Sequence, residues 1–204
     1  MLLIAKPLVS IKIGIFVFGF SKKESERVAE AIISAALAAS ATMPVFKSKK
    51  QTSSSLEKII LFGLHTRHGF KQSFAVAEGN ALTRSLSILP SNKLTPTHYL
   101  KKIKEVAKEN KWKLEFYDEA TLRRKKAGAF LAVSQGSPKA DAGIVRLRYT
   151  PKRAAKSKKV FLVGKGICYD TGGTNLKPAN YMFGMHEDMP VSYTHLTLPT
   201  NREV

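Results

Sequence analysis

The alternation of short apolar runs with capped, amphipathic segments constrains this fold most. The apolar run at residues 9–20 (VSIKIGIFVFGF) predicts a buried strand, and Ser21 with Glu24 is a capping box that opens a helix. An Ala-rich stretch extends this helix to about Ala41, and a second strand-like run follows at residues 56–62. The predicted buried face of the helix has four members: Val28, Ile32, Ala35 and Ala36. This order of strand, helix and strand indicates an α/β fold class.

The second half of the chain repeats the alternation. Residues 71–89 predict a helix, and Thr95 before Pro96 predicts the start of another, because the fixed φ of proline suits the first helical position. That helix is expected to bury four residues: Leu100, Ile103, Val106 and Ala107. Four apolar runs predict further strands, at residues 113–118, 129–133, 143–150 and 159–164. In the third run, the side chains expected to face inward are Ile144, Val145, Leu147 and Tyr149. We therefore expect strands with largely parallel pairing.

Composition and apolar run lengths exclude several classes of protein. Hydrophobic residues make up 44% and charged residues 24% of the 204 positions, as in ordinary globular domains. The single Cys168 cannot form an internal disulfide, which is typical of a reducing, cytoplasmic compartment. The apolar run at residues 13–20 is far shorter than the ~20 residues of a membrane-spanning helix. We expect neither a signal peptide nor a membrane partner.

The strong positive charge leaves two interpretations open. Thirty-four Lys and Arg residues against fifteen Asp and Glu residues give a formal net charge of +19. Such a charge can bind nucleic acid, because Lys and Arg neutralise phosphates. However, the basic clusters contain no interleaved aromatic residues for base stacking, and the chain lacks a recognisable nucleic-acid-binding motif. A solvated basic surface is favoured, and a basic α/β nucleic-acid-binding module without catalysis remains the alternative function.

The segment richest in chemistry is VGKGICYDTGGTNLKPANYMFGMHEDM, residues 163–189. It follows a predicted strand end, where ligand sites gather in open α/β sheets, and it brings together Lys165, Asp170, Lys177 and Asp188. Spacing alone leaves open a phosphate-binding loop, although Lys165 precedes Gly166 and this order is wrong for one. It also leaves open an exposed strand end without a function.

This segment resembles the signature of the leucyl aminopeptidase family, the M17 cytosol aminopeptidases. The family pattern is Gly-Lys-Gly, an apolar pair, an Asp-Ser/Thr-Gly-Gly turn, then Lys-Pro and Asp-Met at fixed distances, and all four charged residues fall in register. Three upstream segments, PSNKLTP, FYDEATL and LAVSQGS, are also similar to the family. The resemblance extends over roughly residues 20–189.

The resemblance implies the following domain organisation. Residues 1–75 would be part of the family's smaller N-terminal α/β domain, and residues 76–189 the start of its α/β metallo-aminopeptidase catalytic domain. Residues 190–204 have no family character, and we interpret them as a non-native, adapter-like tail. The family continues with an Asp, a Glu and an Arg that complete its active site. We therefore expect this chain by itself to be truncated, poorly soluble or partly molten, and inactive.

The resemblance also implies a chemistry. In the family, the residues matching Lys165, Asp170 and Asp188 bind two divalent metal ions, for which Mn²⁺ or Zn²⁺ is expected and Mg²⁺ is compatible. A lysine can ligate only after losing its proton. The ions activate a water that hydrolyses the N-terminal peptide bond of peptide substrates, and the residue matching Lys177 stabilises the oxyanion as an ammonium. Full-length members are expected to form homohexamers.

Other candidate ligands are interpreted as structural. Cys168 lies between apolar neighbours inside the motif, which favours a buried structural thiol over a metal ligand. The family's metal shell contains no histidine, so His186 is expected to act indirectly or to be incidental. His65 and His68 have no acidic partner nearby in sequence, so we expect no zinc site there.

Overall fold

A computed structural model describes residues 9–48, 54–64, 66, 69–151 and 159–187 of the chain. The chain divides into two compact units between Ile88 and Leu89. Within the described ranges, none of the helices is both long enough and apolar enough to cross a membrane. Both units combine helices with strands, which confirms the predicted α/β class.

The first unit is a strand–helix–strand motif followed by a second helix. Its elements are β1 (Val9–Phe16), α1 (Lys22–Ser40), β2 (Ser54–Phe62) and α2 (Lys71–Ser87). The two strands are parallel, as a helical crossover between adjacent strands requires. The capping box is confirmed: the backbone N–H of Ser21 donates to Glu24 Oε2 at 3.0 Å, and the N–H of Glu24 donates to Ser21 Oγ at 3.5 Å.

The buried face of α1 differs from the predicted one. The helix buries Ser25, Ala29 and Ile33, whereas Ile32 is 40% exposed. The buried residues recur every four positions, and Ala29 and Ile33 pack in the core cluster that also contains Ile15 and Val17 of the strand region. Short side chains at two of these positions allow the helix to approach the strands closely. Counting apolar residues missed this face because one of its members is a serine.

The described residues of the second unit form seven elements. They are α3 (Pro96–Glu109), β3 (Lys113–Asp118), α4 (Glu119–Arg124), α5 (Gly128–Ser134), β4 (Gly143–Arg148), α6 (Ala179–Met182) and a 3₁₀ turn (Met185–Glu187). Strands β3 and β4 pair antiparallel, with Phe116 opposite Val145. The expected largely parallel pairing is therefore correct for β1 and β2 but wrong for this sheet.

The structure confirms the predicted start of α3. Thr95 caps the helix by accepting from the N–H of His98, and Pro96 takes the first position. Asp141, which precedes β4, accepts from the N–H and the hydroxyl of Thr97 at 3.3 and 2.7 Å. The buried residues of α3 are Tyr99, Ile103, Val106 and Ala107, with Leu100 only half-buried.

Three strand predictions in this unit need correction. Residues 129–133 lie in helix α5, and residues 159–164 form neither strand nor helix. In β4, Val145 and Leu147 face inward as predicted, but Ile144 is 44% exposed because it alternates onto the face that carries the arginines. Tyr149 is 44% exposed as well, just beyond the strand.

The apolar side chains of residues 160–163 are exposed rather than buried. Val160 and Phe161 are each 80% exposed, and Val163 is 85% exposed. A buried parallel strand needs hydrogen-bonding neighbours and covering helices. Among the described residues, β3 and β4 pair only with each other, so this segment has no strand partner there.

Candidate metal and catalytic site

The chain around Asp170 folds back on itself through a glycine turn. Gly172 has φ +89°, and a Cβ at this position would collide with the carbonyl oxygen of Asn175. The backbone N–H of Lys177 donates to the carbonyl of Thr171 at 2.9 Å and closes the loop. The turn therefore brings Lys177 beside Asp170, seven residues earlier in the chain.

Asp170 and Lys177 form an ion pair at the centre of this loop. Lys177 Nζ donates to Asp170 Oδ2 at 3.0 Å, and the N–H of Gly172 donates to Asp170 Oδ1 at 2.9 Å. Lys177 Nζ also contacts Met185 Sδ at 3.4 Å. The side chains of Lys177 and Asp170 are 25% and 42% exposed, so both ends of the pair remain accessible to solvent.

These contacts favour the ionised form of Asp170. The hydrogen bond from Lys177 lowers the pKa of the Asp170 carboxyl most, and the N–H of Gly172 and the charge of Lys165 lower it further. Since the folded-state pKa lies below the ordinary aspartate value, the resulting stabilisation is present above that value. It is lost as the pH falls through the lowered pKa.

The structure brings two of the four predicted site residues into contact, and a third acts on them through its charge. Lys165 has an exposed side chain whose charge acts on Asp170, and Lys177 contacts Asp170 directly. Asp188 lies outside the described residues. Within the described ranges, there is no group of three or more His, Cys, Asp or Glu side chains that could hold a metal ion. The described donors are one ionised carboxylate and one nearby amine, and this set fits part of a site for a borderline divalent ion.

Comparison with known proteins shows to which family the segment containing these residues belongs. The model of the "Cytosol aminopeptidase family, catalytic domain" matches residues 81–195. The chain belongs to this family. The recognition based on the motif at residues 163–189 is therefore confirmed.

Individual relatives agree with this assignment. A probable cytosol aminopeptidase from Paraburkholderia xenovorans is 42% identical over 149 residues, which is 70% of this chain and 29% of the relative. The leucyl aminopeptidase of Trypanosoma cruzi, solved without ligand, matches 93% of this chain and 36% of its own with 26% identity and a TM-score of 0.72. The bottromycin maturation enzyme BotP, solved in complex with Mn, matches 85% of this chain and 35% of its own, with 27% identity and a TM-score of 0.69.

Two residues that were not expected to bind metal, Cys168 and His186, lie in the segment at residues 163–189. Cys168 is 8% exposed, and burial, with the nearby charge of Asp141, raises the pKa of its thiol to about 11. The prediction of a buried thiol is confirmed. His186 lies half-buried in the 3₁₀ turn, and His65 and His68 are outside the described residues. Sequence reasoning missed the contact of Met185 with Lys177, because a thioether has no chemical signature within the charged pattern.

Proposed function

We propose that this chain carries part of the active site of a metal-dependent aminopeptidase that hydrolyses the N-terminal peptide bond of peptides. Membership of the cytosol aminopeptidase family supports the reaction class. The observation that carries the site assignment is the loop that places Lys177 against Asp170, with Lys165 close enough to act on the same carboxyl. Since the chain spans 29% of the length of the Paraburkholderia xenovorans relative, we propose the activity for a catalytic domain that contains this segment.

The proposed metal ligands are Lys165, Asp170 and Asp188. Asp170 is ionised, the form that a ligand requires, and its carboxylate is open to solvent. Two divalent ions are proposed, with Mn²⁺ or Zn²⁺ first and Mg²⁺ compatible, and the Mn complex of BotP supports manganese. When bound, the ions would activate a water for attack on the peptide carbonyl.

Lys177 is the proposed catalytic residue. Its ammonium lies on the same side of the loop as the Asp170 carboxylate and reaches that group with one hydrogen bond. A positive donor close to this position would stabilise the negative charge that develops on the carbonyl oxygen during attack. We further propose peptide substrates and a cytoplasmic location for the full-length protein, which the names of the relatives support. A homohexamer is proposed from the family resemblance alone.

A chimera tests the proposed function. Residues 81–189 of this chain replace the matching segment of the Paraburkholderia xenovorans relative, once that relative is shown to hydrolyse leucine amide. We expect hydrolysis that depends on added Mn²⁺ or Zn²⁺ and disappears with a chelator. A soluble, folded chimera that remains inactive with either ion would contradict the proposal.

A further inference from the structure

The ammonium of Lys177 contacts the Asp170 oxygen at which a divalent metal ion would also bind. Of the two oxygens of this carboxylate, Oδ1 accepts the N–H of Gly172 at 2.9 Å and Oδ2 accepts Lys177 Nζ at 3.0 Å. The backbone donor is fixed by the turn, whereas the ammonium sits at the end of a flexible side chain. A divalent cation bound at Oδ2 would therefore meet a positive charge within hydrogen-bond distance of the same oxygen, and the two would repel each other.

The contacts of Lys177 allow it to leave without disrupting the loop. Its backbone N–H remains anchored to the carbonyl of Thr171 at 2.9 Å, so a side-chain rotation is sufficient. Its second contact is the thioether of Met185 at 3.4 Å, and sulfur is only a weak acceptor. The Lys177 side chain is 25% exposed, so a released ammonium can be solvated.

We propose that Lys177 is a displaceable counter-ion of Asp170, which leaves Oδ2 when a divalent cation binds. This inference rests on the proposed function, because it assumes that Asp170 is a metal ligand. In the metal-free protein, Lys177 holds the carboxylate in place through its hydrogen bond to Oδ2. Metal binding releases the ammonium, so Lys177 becomes available to a substrate oxygen only when the site is loaded. Lys177 is thus a positioning residue for Asp170 before it acts on substrate.

Lysine acetylation read by mass spectrometry tests the displacement without measuring catalysis. The whole chain is treated briefly with an acetylating reagent, with and without Mn²⁺, while Mn²⁺ binding is followed by electron paramagnetic resonance. We expect Mn²⁺ to raise the acetylation rate of Lys177 by about two- to fivefold, the range that release of an accessible ion pair allows. Lys101 and Lys104, exposed on α3, serve as internal controls and should be unaffected.

Two variants and one control variant sharpen the test. In Asp170→Asn, Lys177 should be acetylated at the faster rate whether or not Mn²⁺ is present. Lys177→Met, which keeps the side-chain length but removes the charge, should bind Mn²⁺ about two- to fivefold more tightly. Met185→Leu removes only the sulfur contact and should leave the Mn²⁺ affinity unchanged.

The outcomes separate this inference from the proposed function. Mn²⁺ binding that leaves the Lys177 acetylation rate unchanged, or an unaltered Mn²⁺ affinity in Lys177→Met, would overturn the displacement and leave the metal site standing. An absence of Mn²⁺ binding at Asp170 would overturn the displacement in this chain, whereas the proposed function is tested separately by the chimera.

Discussion

Single residues determine whether the candidate site forms. The charged positions could be read from the sequence because the family pattern fixes their spacing, whereas their geometry could not. The contact between Lys177 and Asp170 depends on Gly172, whose positive φ and close approach to the carbonyl of Asn175 are properties of the folded loop. The contact of Lys177 with Met185 depends equally on folding.

Replacing the turn glycine should open the loop. In Gly172→Ala, the new Cβ meets a backbone oxygen at a positive φ, so the turn must rearrange and the Lys177–Asp170 contact should be lost. Gly173→Ala is the matched control, because Gly173 also has a positive φ but nothing lies within 4 Å of its would-be Cβ. Lys177 should be acetylated faster in Gly172→Ala than in Gly173→Ala, and equal rates would contradict the role of Gly172.

Substitutions of Lys177 and Lys165 should have different effects on activity and metal binding. In the chimera described above, Lys177→Ala should lower turnover about 10²–10³-fold, the loss typical of one oxyanion donor, while metal remains bound. Lys165→Ala should instead weaken metal binding directly. Metal content by elemental analysis, measured beside turnover, separates these effects. Equal metal loss in both variants would refute the division of roles.

Cys168 should be chemically inert in the folded chain. It is 8% exposed and the pKa of its thiol is raised to about 11, so little reactive thiolate is present at pH 8. Alkylation by iodoacetamide at pH 8 should be much slower in the native chain than in guanidinium chloride. Equal rates in the two conditions would show that the thiol is not buried.

For helices and strands, the sequence correctly predicted features that depend on neighbouring residues. It mispredicted features that depend on packing between elements. The capping box of α1 and the Thr95-Pro96 start of α3 are encoded in a few neighbouring residues, and both were predicted correctly. The buried face of α1 depends on which side of the helix packs against β1 and β2. The sequence pattern placed Ile32 on that face, whereas the structure buries Ile33, one position later in the chain. Residues 159–164 read as a strand because they are apolar, but a strand also needs a neighbour.

Adjacent isoleucines on α1 test its orientation. Ile33 is 2% exposed in the core, and Ile33→Ala should lower the free energy of unfolding by about 2–5 kcal/mol. Ile32 is 40% exposed, and Ile32→Ala should cost less than about 1 kcal/mol. Urea unfolding followed by circular dichroism measures both. A larger loss of unfolding free energy in Ile32→Ala than in Ile33→Ala would instead support the buried face that the sequence pattern predicted.

For the whole molecule, family membership constrains function more than charge does. The formal charge of +19 permits contact with nucleic acid, but the family match over residues 81–195 concerns a peptidase catalytic domain. We expect any binding to a DNA duplex to be non-specific and to fall steeply between about 50 and 200 mM salt. Fluorescence anisotropy with a labelled duplex measures this, and tight, sequence-selective binding at the higher salt would favour the alternative function.

The most direct test of the aminopeptidase site is the substitution Asp170→Asn in the chimera, with activity and metal content measured on the same sample. The change removes the negative charge of the proposed ligand while preserving its shape. We predict that hydrolysis of leucine amide falls by orders of magnitude and that bound metal decreases. Normal turnover with normal metal content would contradict the assignment of Asp170, and with it the proposed site.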